Sequence, residues 1–174
     1  VPELRGEDRV VEPLEGGLTN ENCKVTVGGG AYVVRRWSDD GELLSIDRDN
    51  EHENSVKAAE AGVGAPVVAY LPEHGALVIE FLEGRTLSAE DLRGGFPLDR
   101  VADVCRRLHG AERFRDDFDM FGTRREYLRI VDERGFRLPE SYREFEPRME
   151  RIEEAMRARP EEGVPCNNDL LAEN

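Results

Sequence analysis

The sequence predicts an α+β protein: an antiparallel sheet carrying one helix, followed by a helical segment. Three observations predict it. The strand-like runs before Leu82 are joined by links too short for parallel crossovers. One stretch, Ser45 to Ala61, interrupts them with Ala, Glu and Lys gathered near its end and Gly62 closing it, the pattern of a helix and its stop. After Gly84 the apolar residues change from alternating to three-and-four spacing. A boundary on that change gives a sheet-bearing lobe with its hinge over 1–84 and a helical lobe over 85–174.

Arg9 to Leu14 reads as a short strand ending at Glu15-Gly16-Gly17. Asn22 to Val27 alternates, with Cys23, Val25 and Val27 on one face and Lys24 and Thr26 on the other, so it is a half-buried strand. Gly28-Gly29-Gly30 is a turn, and Ala31 to Trp37 is a β-branched, aromatic-rich strand. Val67 to Leu71 and Ala76 to Leu82 are strands joined at Glu73-His74-Gly75. They bring the sheet to five strands with the one inserted helix. Beyond the hinge, Ser88 and Asp91 have the form of a capping box, as do Thr123 and Glu126. Leu98, Val101, Ala102, Cys105 and Leu108 recur at helical spacing. So do Tyr142, Phe145, Met149, Ile152 and Met156, before Pro160 ends the run. Such stripes are core-facing helix surfaces.

Composition narrows the function classes. The chain has 174 residues, enough for one domain or a two-lobed unit, with 39% hydrophobic and 36% charged residues. Lys and Arg number 24 against 38 Asp and Glu, a formal net charge of -14, which disfavours binding nucleic-acid backbones or anionic membranes by charge. A cationic substrate is compatible with it, although a solvated acidic surface explains it as simply. Cys23, Cys105 and Cys166 form no C-x-x-C pair, which fits a reduced, cytoplasmic protein. His52, His74 and His109 are scattered. Val1 to Gly16 has no long apolar stretch, so no signal peptide is expected.

Four motifs carry the chemistry. Glu15-Gly16-Gly17-Leu18-Thr19-Asn20 lies between two strands. Its glycines let backbone N–H groups approach phosphate oxygens, and Thr19 and Asn20 add side-chain donors; an ordinary hairpin turn is the plainer account. Arg35 and Arg36 point to opposite faces of the third strand. The inward one needs a carboxylate to offset its desolvation, with Glu51 and Glu53 on the following helix as candidates. Val78 to Gly84 is a strand running into a linker, whose exposed backbone suits adenine in a two-lobed nucleotide site. Asp169 followed five residues later by Asn174 has the spacing of a general base beside a Mg²⁺ ligand in phosphoryl transfer. Taken singly, each has a bland structural explanation; their order and spacing strengthen them together.

In that order, the chain resembles the choline/ethanolamine kinase branch of the aminoglycoside-phosphotransferase-like kinases, its bacterial choline kinase members above all. The resemblance runs over nearly the whole chain. It is carried by Gly16 to Asn20, Tyr32 to Arg35, Ile46-Asp47-Arg48 with Glu51 and Asn54, Ala58 to Gly62, Glu80 to Gly84, Leu108-His109, and Pro165 to Asn174. It implies a protein kinase-like fold: a five-stranded antiparallel N-lobe with one helix and a partial, mainly helical C-lobe ending in the catalytic loop. It implies ATP and Mg²⁺ as cofactors. Gly16, Gly17, Leu18, Thr19 and Asn20 would cover the phosphates. Arg35 would stand in for the usual lysine with Glu51 as partner, and Glu53 as the fallback. The backbone at Glu80 and Leu82, near Ile79, would hold adenine. Asp169 would be the catalytic base and Asn174 the metal ligand.

Two departures from the family pattern stand out. Asn167 occupies the place of a histidine in the catalytic loop. The family also continues past Asn174, to a second metal-binding Asp and to the acidic and aromatic groups that recognise the amine. The expected parent activity is transfer of the ATP γ-phosphoryl group to the hydroxyl of a small amino alcohol, choline first, with ethanolamine, thiamine or an aminoglycoside as alternative acceptors. A catalytically inactive nucleotide-binding or scaffold module is the alternative of another class. The 174 residues alone are expected to be inactive and to self-associate through exposed C-lobe surface, without nucleic-acid or membrane partners.

Overall fold

A computed structural model describes residues 1–14, 20–37, 46–159 and 162–172. The chain forms two compact units, one of Val1–Arg115 with Val164–Asn174 and the other of Asp116–Gly163. These limits follow chain contacts and fall at other places than the change of composition at Gly84.

The first unit is built on a five-stranded antiparallel sheet. β1 (Val10–Leu14), β2 (Asn20–Val27) and β3 (Gly30–Trp37) form a meander. The β2–β3 turn places Gly28 at φ 58° and Gly29 at φ 79°, the two left-handed positions that a two-residue hairpin requires. After β3 comes α1 (Arg48–Glu60), then β4 (Val67–Leu71) and β5 (Ala76–Glu80), and the sheet order is β1-β2-β3-β5-β4. The last strand therefore slots between β3 and β4, which buries Ala76, Leu77 and Val78 at its centre. Val25 and Val27, the alternating apolar positions of β2, are buried with them. Along the outer strand β1, Val10 and Val11 stay exposed, and Pro13 is tolerated because an edge strand can spare a donor.

α1 begins at Arg48, three residues after the expected Ser45, which lies outside the described residues. Asp47 starts it by accepting a hydrogen bond from the Asn50 N–H at 2.9 Å. β5 ends at Glu80, two residues before the expected Leu82. Past the hinge, α2 (Ala89–Arg93) opens on the predicted Ser88–Asp91 capping box, both reciprocal bonds being present. α3 (Leu98–His109) follows it.

The second unit pairs α4 (Met120–Arg134) with α5 (Glu146–Arg157), which is entered through a 3-10 turn over Glu140–Phe145. The capping box expected at Thr123 and Glu126 does not form. Asp119 caps α4 four residues before Thr123, accepting from the Phe121 N–H at 3.2 Å, so the helix is already under way when it reaches Thr123. Glu126 bonds Arg129 instead. Arg125 grips Glu153 with two hydrogen bonds of 2.7 and 3.2 Å, and Arg124 pairs with Glu146. Along the predicted apolar stripe Phe145, Ile152 and Met156 are about half exposed. Among the described residues no helix is long and apolar enough to cross a membrane.

Candidate functional site

Residues paired across a ladder share a face of the sheet. The register therefore puts Asn20, Asn22 and Lys24 of β2 on one face with Val33, Arg35 and Trp37 of β3 and Leu77 and Ile79 of β5. Glu51, in the first turn of α1, reaches this face. Arg35 Nη1 donates to Glu51 Oε1 at 3.1 Å. Arg36, on the opposite face, is exposed and only 3.8 Å from Glu21 at its nearest approach. Glu53 pairs with Arg115 at 2.9 Å, so of the two candidate carboxylates it is Glu51 that meets Arg35. A second cation joins them: Arg48 Nη1 donates to Glu51 Oε2 at 2.7 Å and to Asn20 Oδ1 at 3.1 Å.

The helix bearing Glu51 is tied to the sheet. The Tyr70 hydroxyl on β4 donates to Asp49 Oδ1 at 2.6 Å, and His52 stacks on the Tyr70 ring at 4.3 Å between centroids. Burial, with the Asp49 hydrogen bond second, pushes the Tyr70 phenol up to about 12, so it remains a donor at any ordinary pH. Trp37 leans on Tyr70 from β3, and the Arg48 guanidinium lies 5.3 Å from the Trp37 ring centroid, within cation–π range.

At the hinge the backbone is partly committed. The Glu80 N–H donates to the Pro66 carbonyl and the Phe81 N–H to that of Ala31, each at 2.9 Å. Lys24 lies 3.8 Å from the Phe81 ring centroid and 3.9 Å from Glu83, pinning the linker to β2. Leu82 is 62% exposed and opens on a cleft of about 750 Å³. Opposite the hinge, that cleft is walled by Leu98, Val101 and Val104 of α3 and by Leu170 to Ala172.

The segment bearing Asp169 is shaped by its own short-range bonds. Asn167 Oδ1 accepts from the Asp169 N–H at 2.8 Å, and the Leu171 N–H donates to the Asp169 carbonyl at 3.0 Å. Cys166 Sγ donates to Asn168 Oδ1 at 3.2 Å. Asn167 is thus the turn-forming residue, an Asx-type bond to the backbone two residues on, and Asp169 is carried exposed on the turn it makes.

Of the residues singled out from sequence, the structure joins Arg35 to Glu51 directly and Asn20 to Glu51 through Arg48, and brings Leu82 to one cleft with Leu170, Leu171 and Ala172. Ile79 lies on the same sheet face as Arg35. Gly16, Gly17, Leu18, Thr19 and Asn174 lie outside the described residues. Among those that are described, no group of three or more His, Cys, Asp or Glu side chains is placed to hold a metal ion. Sequence reasoning gave Arg48 no role. Its signal was the spacing to Glu51, because i and i+3 are neighbours on a helix surface.

The described residues thus include an arginine–glutamate pair on the sheet, an exposed hinge and an Asp-bearing turn. Residues 10–174 match the model of the phosphotransferase enzyme family. The chain belongs to that family. Among solved structures of similar fold, the choline/ethanolamine kinase family protein of Mesorhizobium loti has a TM-score of 0.77 at 29% identity, over 100% of this chain and 56% of that one. Choline kinase LicA of Streptococcus pneumoniae has a TM-score of 0.78 at 24% identity, covering 95% and 57%. LicA in complex with AMP gives 0.75 at 23%, covering 99% and 60%. The chain therefore spans 56 to 60% of the length of those structures. No curated protein matches it. The predicted architecture, a five-stranded antiparallel lobe with one helix followed by helices, is the one observed, and these kinase structures share it.

Proposed function

We propose that the full-length protein is an ATP-dependent kinase of a small amino alcohol, with choline as its acceptor. The Arg35–Glu51 pair carries this reading. It sets a cation on the sheet face beside the exit of the glycine-containing loop, where a nucleotide's phosphates would lie in a member of this family. The likeness to the Mesorhizobium protein, described as a choline/ethanolamine kinase, supports the acceptor class. The AMP complex of LicA supports a nucleotide as the ligand.

In this reading the loop from Gly16 to Asn20 covers the phosphates and Arg35, held by Glu51, offsets their charge. The Glu80 carbonyl and the Leu82 backbone hold adenine near Ile79. The choline hydroxyl oxygen attacks the γ-phosphorus while Asp169 takes the hydroxyl proton. The bond from that phosphorus to the β–γ bridging oxygen breaks, giving phosphocholine and ADP, and Asp169 later loses the proton to solvent. Mg²⁺, when bound, would screen the triphosphate, with Asn174 as its ligand in this chain. Asp169 needs a fixed loop to act as base, and the Asn167 bond to its N–H gives one without the family's histidine. That favours the catalytic reading over an inactive nucleotide module. Activity belongs here to the full-length cytoplasmic protein, the 174 residues alone being inactive.

A panel of choline, ethanolamine, thiamine and an aminoglycoside, each given with Mg²⁺-ATP to the full-length protein and followed by ADP release, tests the proposal. Choline should turn over fastest. Faster turnover of another acceptor would move the assignment, and inactivity on every amino alcohol would overturn it.

A further inference from the structure

Glu51 is shared. Its two carboxylate oxygens are taken by different arginines, Oε1 by Arg35 and Oε2 by Arg48. The other acidic groups at this end of α1 are engaged elsewhere: Asp47 accepts from the Asn50 N–H and Asp49 from the Tyr70 hydroxyl. The cluster thus sets two guanidinium cations on one carboxylate. Arg48 is the better buried of the two, with its side chain 12% exposed against 34% for Arg35. Each also keeps a buried N–H without a hydrogen-bond partner among the described residues, Arg35 at Nε and Arg48 at Nη2. Leaving such donors unmet is costly, and an excess of positive charge with unmet donors is the signature of a site organised around an anion.

Arg48 also bonds the strand that leaves the glycine-containing loop. The same Nη1 that bonds Glu51 bonds Asn20 Oδ1, at the first residue of β2. The guanidinium carbon lies over the ring of Trp37, at the end of β3, 5.3 Å from its centroid. A rigid planar fork can serve acceptors on two elements and a ring on a third at once; a lysine ammonium cannot reproduce that geometry.

We propose that Arg48 is a positioning residue of the nucleotide-phosphate site. It locks Asn20, the first residue of β2, to Glu51, and through Glu51 sets Arg35, so that grip on the triphosphate depends on α1 and the start of β2 being joined. The proposal rests on the reading of this protein as an ATP-dependent kinase. It acts on the phosphate end alone, because the adenine contacts lie on the hinge.

The test compares ATP with adenosine, a probe that lacks phosphates, by calorimetric titration of the full-length protein and its variants. Arg48→Met should weaken ATP binding roughly tenfold or more, the size expected for lost charge-assisted hydrogen bonds, and leave adenosine within about twofold. Arg48→Lys, which keeps the charge and loses the fork, and Asn20→Ala, which removes one acceptor, should each lower the ratio of ATP to adenosine affinity by a smaller factor. An unchanged ratio in Arg48→Met, or equal loss of both ligands, overturns the proposal, since a merely structural role would weaken both alike. If Arg48→Met does not fold, the other two variants decide: a lowered ratio in both supports the coupling, and an unchanged ratio in either overturns it. Wild-type protein that binds no ATP would remove the kinase reading and this proposal together. Wild-type protein that phosphorylates choline while the variants keep its ratio would remove this proposal alone.

Discussion

The two ends of the candidate site are built in opposite ways. Around Arg35, partners come from β2, β3 and the helix that follows, and the charged groups are half-buried or better. Around Asp169, the bonds described above run between residues two apart, and the side chain is exposed. A cation taken out of water needs its carboxylate delivered by tertiary structure, because the desolvation cost is otherwise unmet. A base that must meet an incoming hydroxyl needs access, and a local turn is enough to aim it. If the proposed kinase reading holds, the Arg35 end should couple function to stability, and the Asp169 end should separate them.

The largest expected effect tests that separation. Asp169→Asn in the full-length protein should lower turnover roughly 10²- to 10⁴-fold, the range for removing a general base. The thermal midpoint and ATP affinity should stay close to wild type, since the side chain is exposed and in the proposed mechanism meets the acceptor and not the nucleotide. Steady-state kinetics beside a melting curve check it; near-normal turnover would refute the role, and a large fall in midpoint would break the comparison.

At the other end, Glu51→Gln keeps the shape and removes the charge that two arginines share. A fully buried pair costs about 3–5 kcal/mol to break; with Glu51 and Arg35 partly solvated, about 2 kcal/mol of stability is expected. Urea unfolding measures it, and nucleotide affinity should fall in the same variant. A change in affinity with stability intact would mean that the cluster is functional without being structural.

The smallest effect belongs to a purely local device, the capping box that opens α2. Ser88→Ala should cost about 1 kcal/mol, seen as a shift in denaturation midpoint. Its partner is also acid-resistant. The Arg85 side-chain hydrogen bond first, and the bonds from Ser88 after it, hold the Asp91 carboxyl well below its ordinary 3.8. A carboxyl depressed on folding contributes stability that is present above its unfolded value and lost as pH falls through the folded one. The Ser88→Ala penalty should therefore persist down to pH 4 and shrink only in stronger acid. A penalty that vanishes between pH 6 and 5 would contradict the assignment.

What the sequence determined was whatever depends on neighbours along the chain. Alternation in β2 named Val25 and Val27 as inward, short links made the strands antiparallel, and Ser88 with Asp91 announced the start of α2; each is a relation within a few residues, and the structure keeps them. Where another cap preceded the expected one, the earlier cap won: Asp119 starts α4 before Thr123 can. The tertiary structure decided which partners meet across the fold. Spacing left Glu51 and Glu53 as equal candidates for the inward arginine, and only the seating of α1 on the sheet sent Glu51 to Arg35 and Glu53 to Arg115. It alone inserted β5 between β3 and β4, put Tyr70 under Asp49, and brought Asn20 to Arg48 across 28 residues of chain. Charge and hydrogen-bonding capacity are written in each residue, but the partner that satisfies them is chosen by packing, because the burial that makes a partner necessary exists only once the elements have come together.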